Sequence, residues 1–260
     1  MKSKPSSKLI GLVAKIQKQV ENTNSTYAEN FVSNLITHPI PFFGKLEEAE
    51  ILTVGLNPSP REFDNARWPD SKIAPELLAS ELYKYFENDY RLWHPWFEKW
   101  AAATSQLETN LQYKSGRVAH IDLSPRATQV MSRVPEVETF AKMIREDLVW
   151  LPALIECAKS AKILLIAGAV NREKYLIEFL AKHGREYQIA VVRKDDGTSR
   201  SLGFYELRVG SRSLPVFFSG SSPSARDKGE KLTRNISTHR EKIFKLLADS
   251  TTRPAGTTGN

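Results

Sequence analysis

An apolar run that ends in an abrupt turn, at residues 51–60, constrains the fold of this chain more than any other stretch. Residues 51–54 are apolar or β-branched, which predicts a short buried strand. A glycine and two prolines then interrupt the run and leave the carboxamide of Asn57 at the carboxyl end of the strand. Open α/β sheets bind their ligands at that edge. The stretch therefore predicts an α/β fold with a polar site that includes Asn57.

Apolar strand patterns alternate with helical patterns along the rest of the chain. Strands are predicted at 49–54, 117–123, 161–167, 187–193, 202–209 and 214–218. Helices are predicted at 8–20, 28–35, 75–86, 92–106 (helical after Pro95), 136–158 (interrupted or bent at Pro152), 171–182 and 224–247. This alternation predicts a three-layer α/β/α sandwich with a central, mostly parallel sheet, to which the pair of strands flanking residues 195–197 adds an antiparallel edge.

The length and composition of the chain fit a single domain. Its 260 residues, 41% of them hydrophobic, are enough to bury one core, and no linker separates the periodic segments. We therefore predict one domain at residues 1–250, with N-terminal helices at 8–36 packed on it. Residues 251–260 are rich in threonine, glycine and small residues, and we expect them to form a flexible tail. A monomer is expected.

The sequence shows no pattern for a membrane, a metal or a cofactor. No apolar run approaches the ~20 residues of a membrane span, and residues 1–5 lead into an amphipathic stretch rather than an apolar signal segment. We therefore expect a cytoplasmic protein without a membrane partner. The one cysteine, Cys157, is expected to be a buried hydrophobe, and a four-cysteine cluster is excluded. Because the five histidines include no His-x-x-x-His pair either, we expect neither a metal nor a cofactor.

A second polar turn follows the last predicted strand, at residues 219–226, with the sequence Ser-Gly-Ser-Ser-Pro-Ser-Ala-Arg. The two turns resemble the two signature motifs of the uracil-DNA glycosylase superfamily. Residues 55–58, Gly-Leu-Asn-Pro, match the first motif without a gap, and residues 221–226 are similar to the second motif of the mismatch-specific uracil and thymine-DNA glycosylase branch. The resemblance covers residues 48–248 and implies a uracil-DNA glycosylase-like fold.

The resemblance implies a monofunctional DNA glycosylase, which flips a nucleotide out of the duplex, hydrolyses its N-glycosidic bond and leaves an abasic site. Asn57 would position the attacking water, since a neutral amide orients water but does not deprotonate it. Gly220 stands where many members of the superfamily carry a histidine that stabilises the departing base. That role would therefore fall to backbone N–H groups and to the hydroxyls of Ser221 and Ser222.

The same resemblance assigns a base pocket to the first turn. Gly55 and Leu56 would bring backbone groups to the base. Ser59 occupies the position of a bulky tyrosine in the strict uracil enzymes, and a serine there leaves room beside C5 of the pyrimidine. Trp68 is the first candidate to stack on the flipped base and Phe63 the second, with a place in the core as the alternative for both.

Asp122 departs from the pattern of the superfamily, which often has an asparagine at this strand end to read the pyrimidine edge. An ionised aspartate only accepts hydrogen bonds, so it opposes O4 of uracil, whereas it can accept from the N4 amino group of cytosine. If burial protonated Asp122, it could donate to N3 instead. Together with Ser59, this favours a modified cytosine, as in some viral DNA. An aspartate that caps the following turn is the alternative.

The second turn and the segment after it are the predicted DNA contacts. Arg226 aligns with an arginine that the thymine-DNA branch wedges into the gap left by the flipped base, and a phosphate contact or a solvated arginine is the alternative. Residues 221–245 contain seven basic and three acidic side chains within a chain of net charge +7. DNA is therefore the expected partner, although a solvated amphipathic helix has the same pattern. The other predicted contacts are Ser221, Ser224, Ala225, Lys228 and Lys231.

Three alternatives to excision of a modified cytosine stay open. The first is a repair glycosylase for uracil or mismatched thymine. The second is a non-catalytic reader of modified or abasic DNA that uses the same pocket. The third is a hydrolase of small nucleosides, for which binding to DNA that weakens steeply with salt would be unexpected.

Overall fold

The computed structural model describes residues 4–27, 38–59, 73–87, 95–127, 137–168, 189–194, 202–210, 212–221, 223 and 229–249. The helices predicted at 28–35 and 171–182 and the tail predicted at 251–260 lie outside these residues. In the described part of the chain, no helix is both long and apolar enough to cross a membrane.

Within the described residues, seven strands form one mixed sheet. They are β1 Phe42–Phe43, β2 Ile51–Gly55, β3 Val118–Asp122, β4 Ile163–Ala167, β5 Ile189–Lys194, β6 Leu202–Val209 and β7 Arg212–Ser219. The order is β1-β3-β2-β4-β7-β6-β5. The four central strands β3, β2, β4 and β7 are parallel, and β1, β6 and β5 are joined antiparallel at the edges. The predicted α/β class and the antiparallel pair β5–β6 are confirmed, whereas the two-residue strand β1 was too short to be predicted.

The described helices are α1 Ser7–Tyr27, α2 Pro75–Tyr83, α3 Pro95–Thr104, α4 Val137–Asp147, α5 Leu151–Cys157, α6 Glu230–Thr238 and α7 Arg240–Asp249. The helix predicted at 136–158, with an interruption or bend at Pro152, is interrupted just before that proline, where a 3₁₀ turn at Leu148–Trp150 separates α4 from α5. Pro152 lies in the first turn of α5, where its missing N–H breaks no hydrogen bond.

The last predicted helix, at 224–247, also divides in two. Helix α6 begins only at Glu230, because Gly229 before it has a φ of 87°, a left-handed conformation that interrupts a helix. It ends at His239, whose Nδ1 lies 2.9 Å from the carbonyl oxygen of Asn235 and whose ring packs 5.7 Å from that of Phe217. The interaction of His239 with the sheet turns the chain from α6 into α7.

Helices cover both faces of the sheet. Every residue of β2, β3 and β4 is buried, which requires a layer on each side. On one face, the ring of Phe97 in α3 packs 5.3 Å from that of His120. Arg212 of β7 donates over 2.7 Å to the carbonyl of Ala158, which follows α5. Cys157 is buried as predicted, and burial raises the pKa of its thiol.

The parallel strands bring four carboxyl ends to one edge of the sheet. Backbone hydrogen bonds continue past the strands there, from Leu123 N to Gly55 O over 3.2 Å and from Ser124 N to Leu56 O over 3.0 Å. On the other side of β2, Gly168 N donates to Ser219 O over 3.0 Å. Backbone hydrogen bonds of the sheet therefore support the starts of the turns that follow β2, β3 and β7.

Candidate functional site

The two polar turns identified in the sequence lie on the same edge of the sheet. The first follows β2 and includes Asn57, and the second begins where β7 ends, at Ser219. Strand β4 lies between β2 and β7, so the turns are two strand spacings apart, about 10 Å. A groove lined by both turns is therefore compatible with the topology.

The side chain of Asn57 is held from the loop that follows β3. Its Nδ2 donates to the carbonyl of Arg126 over 3.3 Å and to the carbonyl of Pro58 over 3.1 Å. Because an amide is planar, these bonds also fix the direction of the acceptor Oδ1. The half-buried Asn57 is thus preorganised to orient a small polar molecule at the edge.

The structure gives a steric reason for the glycine at position 55. It is the last residue of β2, paired with Asp122, and does not belong to the turn. A Cβ on Gly55 would collide with Oδ1 of Asp122 and lie 2.7 Å from Nε2 of His120. The glycine is therefore needed because two side chains of β3 lie across its Cα, not because the backbone turns there.

Replacing Gly55 with alanine is expected to push the Asp122 carboxylate out of position while leaving the strand intact, because the clash is with side-chain atoms. We expect at least a tenfold loss of base release under the function proposed below, with a cooperative unfolding transition retained. Gly11→Ala is the matched control, since a Cβ on Gly11 meets nothing within 4 Å. Equal activity of the Gly55 variant and the wild type would contradict the steric argument.

Asp122 is the end of a buried chain of four polar side chains. Its Oδ1 lies 3.2 Å from Nε2 of His120, and Nδ1 of that ring lies 2.8 Å from Oγ1 of Thr53. The hydroxyl of Tyr113 lies 2.7 Å from the same Oγ1. The side chains of His120 and Asp122 are 2% and 3% exposed, so this chain is shielded from solvent along its length.

Burial raises the pKa of the Tyr113 phenol far above its usual value, the hydrogen bond to Thr53 opposes that shift, and the charge of Asp122 adds to it. The phenol therefore keeps its proton and can donate it to Thr53.

Aromatic rings enclose His120. The centroid of the Trp96 ring lies 4.7 Å from that of His120, Phe97 lies at 5.3 Å and Phe43 at 5.9 Å. Phe97 and Trp100 of α3 are both buried in the core. The packed rings leave the imidazole one orientation, which fixes the position of its partner Asp122.

A buried ion pair supports the loop that holds Asn57. Nε of Arg126 lies 3.1 Å from Oδ2 of Asp147, and the two side chains are 2% and 1% exposed. Ser124 donates to the same carboxylate over 2.5 Å, and the Arg126 guanidinium also reaches Thr23 of α1. Asp147 ends α4, so two helices hold the Arg126 carbonyl that Asn57 contacts.

The second turn is anchored to α6. Nδ2 of Asn235 donates to Oγ of Ser219 over 2.9 Å and to Oγ of Ser221 over 3.4 Å. The N–H of Ser221 donates to Oγ of Ser219 over 3.3 Å, so the turn closes around Gly220. The hydroxyls of this turn are therefore held at the edge of the sheet, as an anion-binding role would require.

Three more predicted site residues lie in the described structure, and their roles stay predictions. Leu56 is buried at the start of the first turn, Ser59 is half-buried at its end, and Lys231 is exposed in the first turn of α6. The remaining predicted residues lie outside the described part of the chain. They are Phe63, Trp68, Ser222, Ser224, Ala225, Arg226 and Lys228.

A groove of about 640 Å³ between α3 and α6 lies apart from Asn57 and Asp122. Its charged lining consists of two acidic and two basic side chains, Glu98, Glu230, Lys99 and Arg234. This balance gives the groove no preference for a polyanion. Among the described residues, no three His, Cys, Asp or Glu side chains group as metal ligands.

A comparison with known proteins gives no match, either to a protein-family model or to a curated protein sequence.

Sequence reasoning missed the residues behind the site. The strand period of two places His120 on the same face as Asp122, and this signal was in the sequence. No local pattern pairs Arg126 with Asp147 or brings Tyr113 to Thr53, since these contacts depend on packing between separate elements.

Proposed function

We propose that this protein is a monofunctional DNA glycosylase that hydrolyses the N-glycosidic bond of a non-standard pyrimidine and leaves an abasic site. The main support is the position of the two polar turns, after β2 and after β7, on one edge of a parallel sheet. Ligands of open α/β sheets bind at this edge. The resemblance of both turns to glycosylase motifs then suggests which ligand binds there.

The reaction needs a water held below the sugar and a stabilised leaving base. As the bond breaks, the sugar gains oxocarbenium character and the base gains negative charge. Asn57, whose amide is oriented by the Arg126 carbonyl, would position the water. The Ser221 hydroxyl and backbone N–H groups of the second turn would stabilise the departing base.

The proposed substrate is a modified cytosine in DNA. Asp122 supports this choice, because a carboxylate at the base edge accepts from an amino group and opposes a carbonyl. Ser59 supports it through its small side chain at the end of the first turn. Removal of uracil or mismatched thymine is the competing reaction. It would need a hydrogen-bond donor to O4 at the position of Asp122.

We propose that DNA approaches over α6 and α7. The exposed basic side chains of these helices are Lys231, Arg234, Arg240, Lys242 and Lys245, against the exposed acids Glu230 and Glu241. Asn235, which holds the second turn, lies on α6 as well. A basic surface next to the turn would bind the phosphates that flank a flipped nucleotide.

The test incubates the protein with duplex and single-stranded oligonucleotides that each contain one uracil, thymine mismatch, cytosine or modified cytosine. We expect strand breaks only after alkali treatment, together with release of the free base, detected by mass spectrometry. Breaks before alkali would contradict the monofunctional mechanism. Failure to release any base from the whole panel would refute the proposed function.

A further inference from the structure

We propose that His120 is a positioning residue that holds Asp122 as a carboxylate acceptor, so that the second carboxylate oxygen, Oδ2, receives an exocyclic amino group of the target base. This inference rests on the function proposed above and specifies how the same site chooses its substrate. Asp122 would contact the base directly, and His120 would act through Asp122.

The hydrogen-bonded chain can be followed from its buried end. The phenol of Tyr113 can donate its proton to Oγ1 of Thr53, 2.7 Å away. Thr53 can then donate its own proton to Nδ1 of His120 over 2.8 Å, a shorter contact than its 3.3 Å distance to the carbonyl of Ala119. With Nδ1 as acceptor, the proton of the neutral imidazole is on Nε2, which faces Asp122.

The donor at Nε2 does not depend on the charge of the imidazole. A protonated ring also carries hydrogen on Nε2, so both forms of His120 donate to Oδ1 of Asp122. In that arrangement Oδ1 of Asp122 is the acceptor of the contact.

The other oxygen of Asp122 lacks a donor. Among the described residues, the side chain of Asp122 has one hydrogen bond, the one from His120 to Oδ1. Its side chain is only 3% exposed, yet Oδ2 is not among the fully buried side-chain atoms that lack a partner in the described structure, so this oxygen can be reached at the end of the strand. A carboxylate oxygen such as Oδ2, with no donor among the described residues, is typical of an acceptor that completes its hydrogen bonds with a ligand.

The carboxylate has little freedom to move away. Oδ1 lies against Gly55 of β2, where even a Cβ would collide with it. His120 is packed between Trp96 and Phe97, so its Nε2 stays in place. A base that approaches the edge would therefore meet a fixed acceptor. It would be bound through an amino group and repelled through a carbonyl oxygen.

The experiment uses pairs of oligonucleotides whose target bases differ only at the pyrimidine edge, namely cytosine with uracil, 5-methylcytosine with thymine, and 5-hydroxymethylcytosine with 5-hydroxymethyluracil. The readout is the ratio of release rates within each pair, with the ratio of dissociation constants measured in the Asn57→Ala background. We expect the wild type to prefer the amino-bearing base at least about tenfold in one pair, and Asp122→Asn to reverse that preference.

Two substitutions of His120 separate positioning from folding. His120→Leu removes the Nε2–H donor and should reduce the preference for the amino-bearing base to within about threefold. His120→Gln supplies an amide N–H and should restore that preference. Tyr113→Phe is the control at the far end of the chain, and it should alter the preference less than His120→Leu. Thermal unfolding of each variant shows whether it is folded.

The outcomes distinguish the inference from the function. If Asn57→Ala abolishes release but Asp122→Asn and His120→Leu keep the base preference of the wild type, the inference is wrong and the glycosylase function stands. If no base is released, the function is wrong, and the ratios of dissociation constants still decide whether Asp122 selects an amino group. An unchanged binding ratio in Asp122→Asn would overturn the inference in that case too.

Discussion

Asn57→Ala is expected to reduce the single-turnover rate of base release at least about 100-fold. The substitution removes the one amide that the structure holds at the end of β2, bonded through Nδ2 to the carbonyl of Arg126. Loss of a group that positions the attacking water typically costs about two orders of magnitude or more. Binding of the substrate DNA should change much less, because phosphate contacts supply most of the affinity.

The measurement is single-turnover release from the best oligonucleotide of the panel, with binding followed by fluorescence anisotropy. Asn110→Ala is the control, since Asn110 is an exposed asparagine close to the amino-terminal end of β3. It should release base at the rate of the wild type. A rate for Asn57→Ala within threefold of the wild type would remove Asn57 from the mechanism.

Arg126→Met is expected to destabilise the folded protein by about 3–5 kcal/mol at neutral pH. The substitution keeps a long apolar stem but leaves the carboxylate of Asp147, whose side chain is 1% exposed, without a cation in the described structure. Breaking one partner of a buried pair costs this much because an uncompensated charge stays buried. Urea denaturation measures the change in the free energy of unfolding.

An exposed ion pair provides the matched control for Arg126. Lys142 and Glu146 lie four residues apart on α4, 3.9 Å from each other, with side chains 64% and 43% exposed. Lys142→Met should cost less than about 0.5 kcal/mol, since solvent screens such pairs. An equal loss of unfolding free energy in both variants would show that burial does not increase the contribution of the Arg126–Asp147 pair to stability.

The Arg126 variant should also change how stability depends on pH. Burial raises the pKa of Asp147 above its usual value, and the Arg126 cation opposes that shift. Without Arg126, the folded-state pKa rises further, so the folded protein binds the proton more tightly than the unfolded chain does. The contribution of Asp147 to the stability of the variant should therefore be greatest below the usual pKa of aspartate and be lost as the pH rises through the folded-state value.

The pH dependence is checked by repeating the urea series between pH 4 and pH 8. The deficit of the variant relative to the wild type should grow as the pH rises. A deficit that is constant or shrinks would mean that Asp147 is not the group left unpaired.

The elements that position the site could be predicted because their patterns are local. The strand run at 51–54, the strand at 118–122 and the late strand before the second turn all carry apolar stretches bounded by turn residues. Parallel strands place their carboxyl ends together, so Asn57 and the Ser219–Ser221 turn could be expected at one edge. The helix ends were less predictable, as the breaks at Leu148–Trp150 and His239 show.

The environment of each site residue was beyond the reach of sequence patterns. Gly55 could be predicted as a turn glycine from its neighbours, yet its role is to make room for Asp122 and His120 of another strand. His120 was passed over because a histidine in an apolar strand gives no sign of its partners. Its bonds to Thr53 and Asp122 depend on the register between β2 and β3.

The order of the amino acids was sufficient to reveal an α/β domain, its main strands and two polar turns, since periodicity and turn chemistry act over a few neighbouring residues. The orientation of the Asn57 amide, the contact of Asp122 with His120 and the ion pair behind them emerged only from the folded chain. Asn57 and Arg126 are 69 residues apart, and Thr53 and His120 are 67 apart. Contacts over such distances arise when strands align in register and helices pack on them, and no short stretch of sequence records that event.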